Sequence, residues 1–370
     1  MTHRERAMAW LTGKKADRVP DYEFGGWDQT IERWHKEGLP AKYEGTDWAM
    51  TSYFHTDEEY GGPCPGVNIG LKPGFEWKVL EDKGDRQIIM DGDGATCEQL
   101  KSDQGASIPR YIRYAIETRR DWEKMRDEKL RIDDPDRIPK DLDERCKKTH
   151  DADWVVGLGA GAIYGWIRNW MGVENLSVAL IEDPEWVEEM MEHVTQLMLK
   201  GYAHLAGKCK IDMSWWWEDM CYKTGPLLSP AMFKKLMVPR YKRITDFLRR
   251  ECGCEWNMLD CDGNINVLVP LWYEGGINVM FPIETAHTDV FRIWKEFGRK
   301  IPLRGAYDKR ALIAGPKAID REFERLMPLI KEGILAPHTD HRVPPDVSWE
   351  NYVHYRKRKC EILGKEYRAG

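Results

Sequence analysis

Asn257-Met258-Leu259-Asp260-Cys261-Asp262-Gly263-Asn264 is an apolar run that ends in two acids one residue apart, then in a Gly-Asn pair able to turn the chain into a helix. Read as a strand, it points Asp260 and Asp262 the same way, because strand side chains alternate faces. Two carboxylates on one side of a strand end are either a site or a helix cap. What the neighbouring segments end in bears on that choice.

From Ala152 onward the rhythm is strand, helix, strand, the signature of parallel βα units. Strands are expected near Trp154 to Gly159, Asp212 to Trp217, Glu255 to Asp260, Val279 to Ile283, Ile301 to Gly305 and Ile334 to Pro337. The helices between them carry start and stop signals. Asp183-Pro184 opens one that closes before Gly207, Ser229-Pro230 opens one running past Leu248, Pro316 opens one that stops at Gly333, and Ser348 caps the last. Together with an early strand, Arg18-Val19-Pro20-Asp21-Tyr22-Glu23-Phe24, these units predict a closed (β/α)8 TIM barrel. An open sheet is disfavoured because no glycine-rich phosphate fingerprint follows the first strand.

Residues 4 to 13 read as a short amphipathic helix. Between about Tyr43 and Pro139 the pattern is irregular, with turn signals at Gly61-Gly62-Pro63 and Asp91-Gly92-Asp93-Gly94 and short alternating runs at 77–80 and 86–90. The chain is therefore expected to be a single barrel domain over 1–370, carrying a small antiparallel sheet inserted within 43–139. Asp91 to Gly94 matches only half of a calcium loop and reads as a turn.

The 370 residues, 42% hydrophobic and 32% charged with net charge −6, offer no broad basic surface for nucleic acid. No apolar stretch approaches the ~20 residues that span a bilayer. Met1 opens directly into Thr2-His3-Arg4-Glu5-Arg6, so a cytoplasmic location is expected. Nine scattered cysteines in such a chain predict reduced thiols. Cys252-Gly253-Cys254 lacks the second pair of a zinc knuckle and reads as a helix end. The 17 tryptophans exceed what a core needs, leaving some to stack on an aromatic ligand or surround a methylated cation.

A barrel's active site lies at the carboxyl ends of its strands. Here those ends supply Glu218-Asp219, Asp260 and Asp262, Glu284 with His287, Tyr307-Asp308, and His338, Asp340 and His341. Plain alternatives exist for most of them. Asp262 could cap a helix starting near Ile265, Glu218 and Asp219 could pair with Lys223 or Arg240, Asp308-Lys309-Arg310 reads mainly as a helix start, and His287 and His338 read as loop histidines. Asp260 has no such alternative. His341 is followed by the rigid Val343-Pro344-Pro345, which suits a ligand. The candidate set is Asp219, Glu218 and Asp260 as catalytic groups, and Trp215, Trp217, Met258, Tyr222, Glu284 and Tyr307 as substrate contacts. Asp260, Asp262 and His341 are the candidate ligands for zinc or another divalent metal.

From Arg4 to its end the chain resembles the uroporphyrinogen decarboxylase superfamily, in its corrinoid-dependent methyltransferase-like branch. The resemblance is carried by Arg18-Val19-Pro20, Gly172 to Glu185, Glu218-Asp219 through Ser229-Pro230, Asp262-Gly263-Asn264, Asp308 to Leu312 and Pro344-Pro345-Asp346-Val347. It implies a distorted (β/α)8 barrel. A decarboxylase of this family would hold its tetrapyrrole with an arginine-bearing loop after the first strand, yet Val19 to Glu32 contains neither Arg nor Lys. Asp21, Glu23, Asp28, Glu218, Asp219, Asp260 and Asp262 are further expected to repel a polycarboxylate.

The methyltransferase branch holds zinc on a His-x-Cys pair at this same strand end and on a later Cys. Asp260, Asp262 and His341 stand at or near those positions, with both thiolates gone. The expectation is a demethylase that passes a methyl group from a small, methoxylated aromatic substrate to a corrinoid on a partner protein, because the chain has no Asp-x-His-x-x-Gly corrinoid-binding motif. The alternatives are a decarboxylase or lyase of a small carboxylated substrate and a non-catalytic ligand-binding barrel. A homodimer is left open.

Overall fold

The computed structural model describes residues 1–57, 64–102 and 108–370, with the side chains of 46–48 also left aside. The Gly61-Gly62-Pro63 turn lies outside the described residues. Six parallel strands form the main sheet: β1 Gly157–Gly161, β2 Met213–Trp217, β3 Trp256–Asp260, β4 Val279–Phe281, β5 Leu303–Tyr307 and β6 Leu335–Thr339. They lie side by side in chain order, as right-handed βα crossovers require.

Helices separate the strands and cover the outside. Asp183 caps Pro184–Ala203 and Ser348 caps Trp349–Leu363, each accepting from a backbone N–H in the first turn. Apolar residues on these helices bury against the sheet, including Val187, Met190, Met191 and Val194.

The barrel is distorted where its sequence is least regular. The expected first strand, Arg18 to Phe24, is extended but outside the ladder. Only Gly26 bridges to Val343, so this segment lies beside the chain leaving β6. Its Asp21 and Glu23 turn inward and are consumed by ion pairs with Arg356 and Lys359, all four buried. Lys365 adds a further bond to Asp21 at 2.5 Å. They do not line a substrate site, which corrects their place in the expected repulsion of a polycarboxylate.

The small antiparallel sheet is present, built from Lys78–Asp82, Arg86–Met90, Thr96–Leu100 and Arg110–Arg113. Asp91 to Gly94 is the turn between its second and third strands, where Asp91 Oδ1 accepts from the backbone of Asp93 at 3.0 Å and Ala95 at 2.8 Å.

Three local expectations are corrected. The helix opened by Ser229-Pro230 divides into Pro230–Leu236 and Val238–Cys252, because Pro239 cannot donate to the ladder of the preceding turn. Cys146 and Cys209 form a disulfide, which overturns the expectation of nine reduced thiols. Their Cα atoms are 4.5 Å apart although 63 residues separate them, a proximity that spacing along the chain does not reveal. Finally, Asp262 caps no helix; the next one is Val269–Glu274, without a side-chain cap.

Candidate functional site

The site is built around a glycine-rich strand beside a tryptophan-rich one. In β2, Met213, Trp215 and Trp217 share one face while Ser214 and Trp216 share the other. Trp216 is buried, donating to Ser214 Oγ at 2.9 Å and packing edge-on against Tyr241. Across the ladder, β1 reads Gly-Leu-Gly-Ala-Gly. A Cβ on Gly157 would sit 1.5 Å from the Trp215 ring, and one on Gly161 would sit 2.2 Å from Trp166. The glycines clear the volume that the indoles fill.

The result is a cavity of about 240 Å³ lined by Gly161, Trp215, Trp216, Trp217, Met258, Asp260 and Phe281. It lies below the ~300–1,000 Å³ usual for drug-sized ligands and suits a single ring. Its volume matches one ring better than a tetrapyrrole.

Asp260 is the acid on this wall. Burial raises its pKa well above the usual carboxylate range, the nearby charges of Asp262 and Asp219 raise it further, and Arg304 and Arg342 oppose them. The group is therefore held toward its neutral form and can donate a proton.

Asp219 follows β2 in a left-handed backbone conformation, φ +44°. Such a conformation is uncommon outside glycine, although aspartate is among the residues that tolerate it. Arg168 holds it there, donating to its backbone carbonyl and, at 3.1 Å, to Oδ2. The same guanidinium sits 5.0 Å from the Trp217 ring. Arg168 was not among the sequence candidates; its helix, Tyr164–Met171, bears no motif that marks it.

Glu218 points away from the cavity. It is fully buried and accepts from the backbone N–H of Ile163 at 2.9 Å and Gly165 at 2.8 Å, and from the Tyr241 hydroxyl at 2.7 Å. Burial raises its pKa, and these donors pull it back. Both oxygens accept hydrogen bonds, which fasten the turn after β1 to β2. The expected pairs with Lys223 and Arg240 do not form. Lys223 lies over Tyr222, and Arg240 pairs with Glu188 and Glu192.

Other expected substrate contacts also separate from the cavity. Tyr307 is buried on the far side of β5, donating to Ile319 O at 2.9 Å and packing at a tilt against Phe323 and edge-on against Tyr355. Tyr222 is 59% exposed on a small hairpin. Glu284 accepts from Gly263 N at 2.8 Å and from Lys309 Nζ at 3.1 Å, so it positions the turn after β3. Trp215, Trp217 and Met258 are the substrate candidates that do line the cavity.

Asp262 and His341 meet, with Nε2 3.3 Å from Oδ2. His341 is boxed by Phe24 and Trp27, with ring centroids at 5.6 and 5.7 Å. Asp262 Oδ1 is buried and accepts no hydrogen bond from the described residues. Asp260 does not complete a metal triad with them. Among the described residues, no three His, Cys, Asp or Glu side chains converge where they could hold an ion. The thiolates that favour zinc are also missing, so the donor set does not fit and no step through a metal is derived.

His338 is not a loop histidine but a buried member of β6. Arg304 Nε donates to its Nε2 at 3.0 Å, so Nε2 must be the acceptor and Nδ1 carries the proton, directed at Thr339 O at 2.7 Å. Burial and the Arg304 charge both push its pKa well below the usual imidazole range. It is a neutral support for Arg304, which lies 4.7 Å from the Phe281 ring. Behind β5 and β6, Asp340 accepts from the backbone of Thr285 and Lys309, each at 3.1 Å, and burial raises it to about 6.

Among the described residues, no helix is long and apolar enough to cross a membrane. No curated protein matches the chain significantly. Among solved structures, a methyltransferase from Methanosarcina mazei aligns with TM-score 0.58 at 14% identity, covering 98% of this chain and 99% of that one. At that identity the likeness is one of fold. The model of the family described as uroporphyrinogen decarboxylase (URO-D) matches residues 100–356. That span, more than half of the chain, contains β1 to β6 and every residue lining the cavity, and the chain belongs to the uroporphyrinogen decarboxylase family.

Proposed function

We propose that this protein is a methyltransferase component that demethylates a small aromatic methyl ether. The methyl carbon passes to a reduced corrinoid on a partner protein, which supplies the nucleophile. The observation that carries this reading is the neutral-leaning carboxyl of Asp260 on the wall of an aromatic cavity sized for one ring. Cleaving an aryl methyl ether expels a phenolate, a poor leaving group unless its oxygen is protonated. Asp260 donates that proton to the ether oxygen as the O–CH3 bond breaks, and is left as a carboxylate. Trp215 and Trp217 hold the ring by stacking, and Phe281 and Met258 exclude water.

The test is incubation with a reduced corrinoid protein and a panel of methoxyarenes, reading the free phenol by chromatography. Phenol formed with wild type and lost in Asp260→Asn supports the reading; no phenol from any substrate overturns it. The second reading, protonation of a carbanion by Asp260 after loss of carbon dioxide from a small aromatic acid, is favoured by the family itself. Carbon dioxide release in the absence of corrinoid distinguishes it.

A further inference from the structure

Several of the acids that stand out in sequence at the strand ends are engaged by neighbours in space. Arg168 is spent on Asp219, Asp262 meets His341, and Asp21 and Glu23 are consumed elsewhere by Arg356 and Lys359. Two of the aromatic walls also carry guanidinium groups that do not line the cavity: Arg168 against Trp217 at 5.0 Å and Arg304 against Phe281 at 4.7 Å. A methylated ammonium ligand needs the reverse arrangement, electron-rich ring faces with uncompensated negative charge nearby. The site as built suits a neutral ring whose oxygen gains negative charge during reaction.

We infer that the Arg168–Asp219 ion pair is the charge selector of the cavity, setting its preference for a phenolic ring over a methylated ammonium. This deepens the proposed methyl-ether reading and rests on it for the identity of the reaction, though not for ligand preference. Both side chains are anchored. Arg168 is 13% exposed and grips Asp219 through two acceptors, and Asp219 keeps a left-handed backbone to meet it. Such strain persists only where surrounding contacts enforce it. Breaking the pair from either side should therefore tip the cavity in opposite directions. Without Arg168 the Asp219 carboxylate is uncompensated beside Trp217, and cations gain. Without the Asp219 charge the guanidinium is uncompensated, and a phenol or phenolate gains. Arg168 and Asp219 act here as specificity-determining and positioning residues; neither receives the methyl group or donates the reacting proton.

The experiment is calorimetric titration with two one-ring probes of different charge, 2-methoxyphenol and benzyltrimethylammonium. Wild type should prefer the methoxyphenol. Arg168→Met should shift the affinity ratio toward the ammonium by about tenfold, the order of effect of one uncompensated charge near a partly buried ligand. Asp219→Asn should shift it the other way, and Arg168→Lys, which keeps the charge, should stay close to wild type. Asp219→Asn should also lower the pH at which Asp260 ionises. The charged groups acting on Asp260 are Asp262, Asp219, Arg304 and Arg342, and only the second is changed.

A purely structural pair would weaken both probes together in both variants, and that result overturns the inference. So would a wild type that prefers the ammonium or binds neither probe. If the ratios shift in opposite directions as expected while no methyl transfer is found, the selector stands and the proposed reaction falls. Methyl transfer without these opposite shifts leaves the reaction standing and removes the selector.

Discussion

Gly157 and Trp215 occupy one volume between them: a Cβ on the glycine would lie 1.5 Å from the indole. A side chain at 157 must displace the ring that forms the cavity wall. Gly157→Ala is expected to cost about 1–3 kcal/mol, as overpacking does, and to weaken 2-methoxyphenol binding by about tenfold or more. Gly159→Ala on the same strand is the control, because a Cβ there meets nothing within 4 Å. Denaturant unfolding and calorimetry of the two variants check both statements; equal effects at the two positions would refute the packing argument.

Asp260→Asn keeps the shape of the cavity and removes its proton. The expected loss in kcat is about 10²–10⁴-fold, the usual contribution of a general acid, with ligand affinity changed little. In wild type the rate should fall as pH rises through the Asp260 pKa, which lies well above the ordinary value of 3.8. A pH–rate profile showing no such limb would remove Asp260 from the acid role.

Asp340 titrates upward although Lys309 Nζ lies 3.7 Å away, because burial outweighs that ammonium's pull. Its folded pKa, about 6, exceeds the unfolded value of 3.8, so the folded state binds the proton more tightly. The resulting stabilisation is complete below about pH 4 and is lost as pH rises to about 6, on the order of 2–3 kcal/mol. In Asp340→Asn this part of the pH dependence should vanish, so that wild type loses stability relative to the variant across that window. Urea unfolding at pH 4 and pH 6.5 measures the difference; parallel behaviour of the two proteins would rule out the assignment.

Arg356 is buried with Asp21 and Glu23. Arg356→Met leaves two buried carboxylates with one cation fewer, and stability should fall by about 3–5 kcal/mol. Replacing Asp21, Glu23, Arg356 and Lys359 together by apolar residues should cost less than the single change, because no fully buried charge is then left without a partner. A single variant as stable as wild type would show that Lys359 and Lys365 suffice.

Much of the fold was legible because it rests on local periodicity. The alternation of Trp256 to Asp260, the Asp183-Pro184 and Ser348 caps, and Gly13 and Gly253 in left-handed conformation at helix ends are short-range signals. The site was legible in part. Asp260, Trp215, Trp217 and Met258 line the cavity as the alternation of β2 and β3 implied. Glu218, Tyr307 and Glu284 do not line the cavity, because a residue at or just past a strand end can turn toward the cavity or into the wall, and only neighbouring elements decide which. Arg168 could not be singled out at all, since its partner lies 51 residues away.

By itself, then, the sequence determined the strand-and-helix order and the carboxylates at the strand ends, because period and chain order are local properties. Tertiary structure alone decided which carboxylate stays neutral, which is spent on a cation and which holds backbone. A carboxylate's charge state depends on burial and on charges within a few ångströms, and those neighbours come from distant parts of the chain. At Asp260 and Asp262 the difference is plain: one residue apart, one faces an aromatic cavity and the other a histidine.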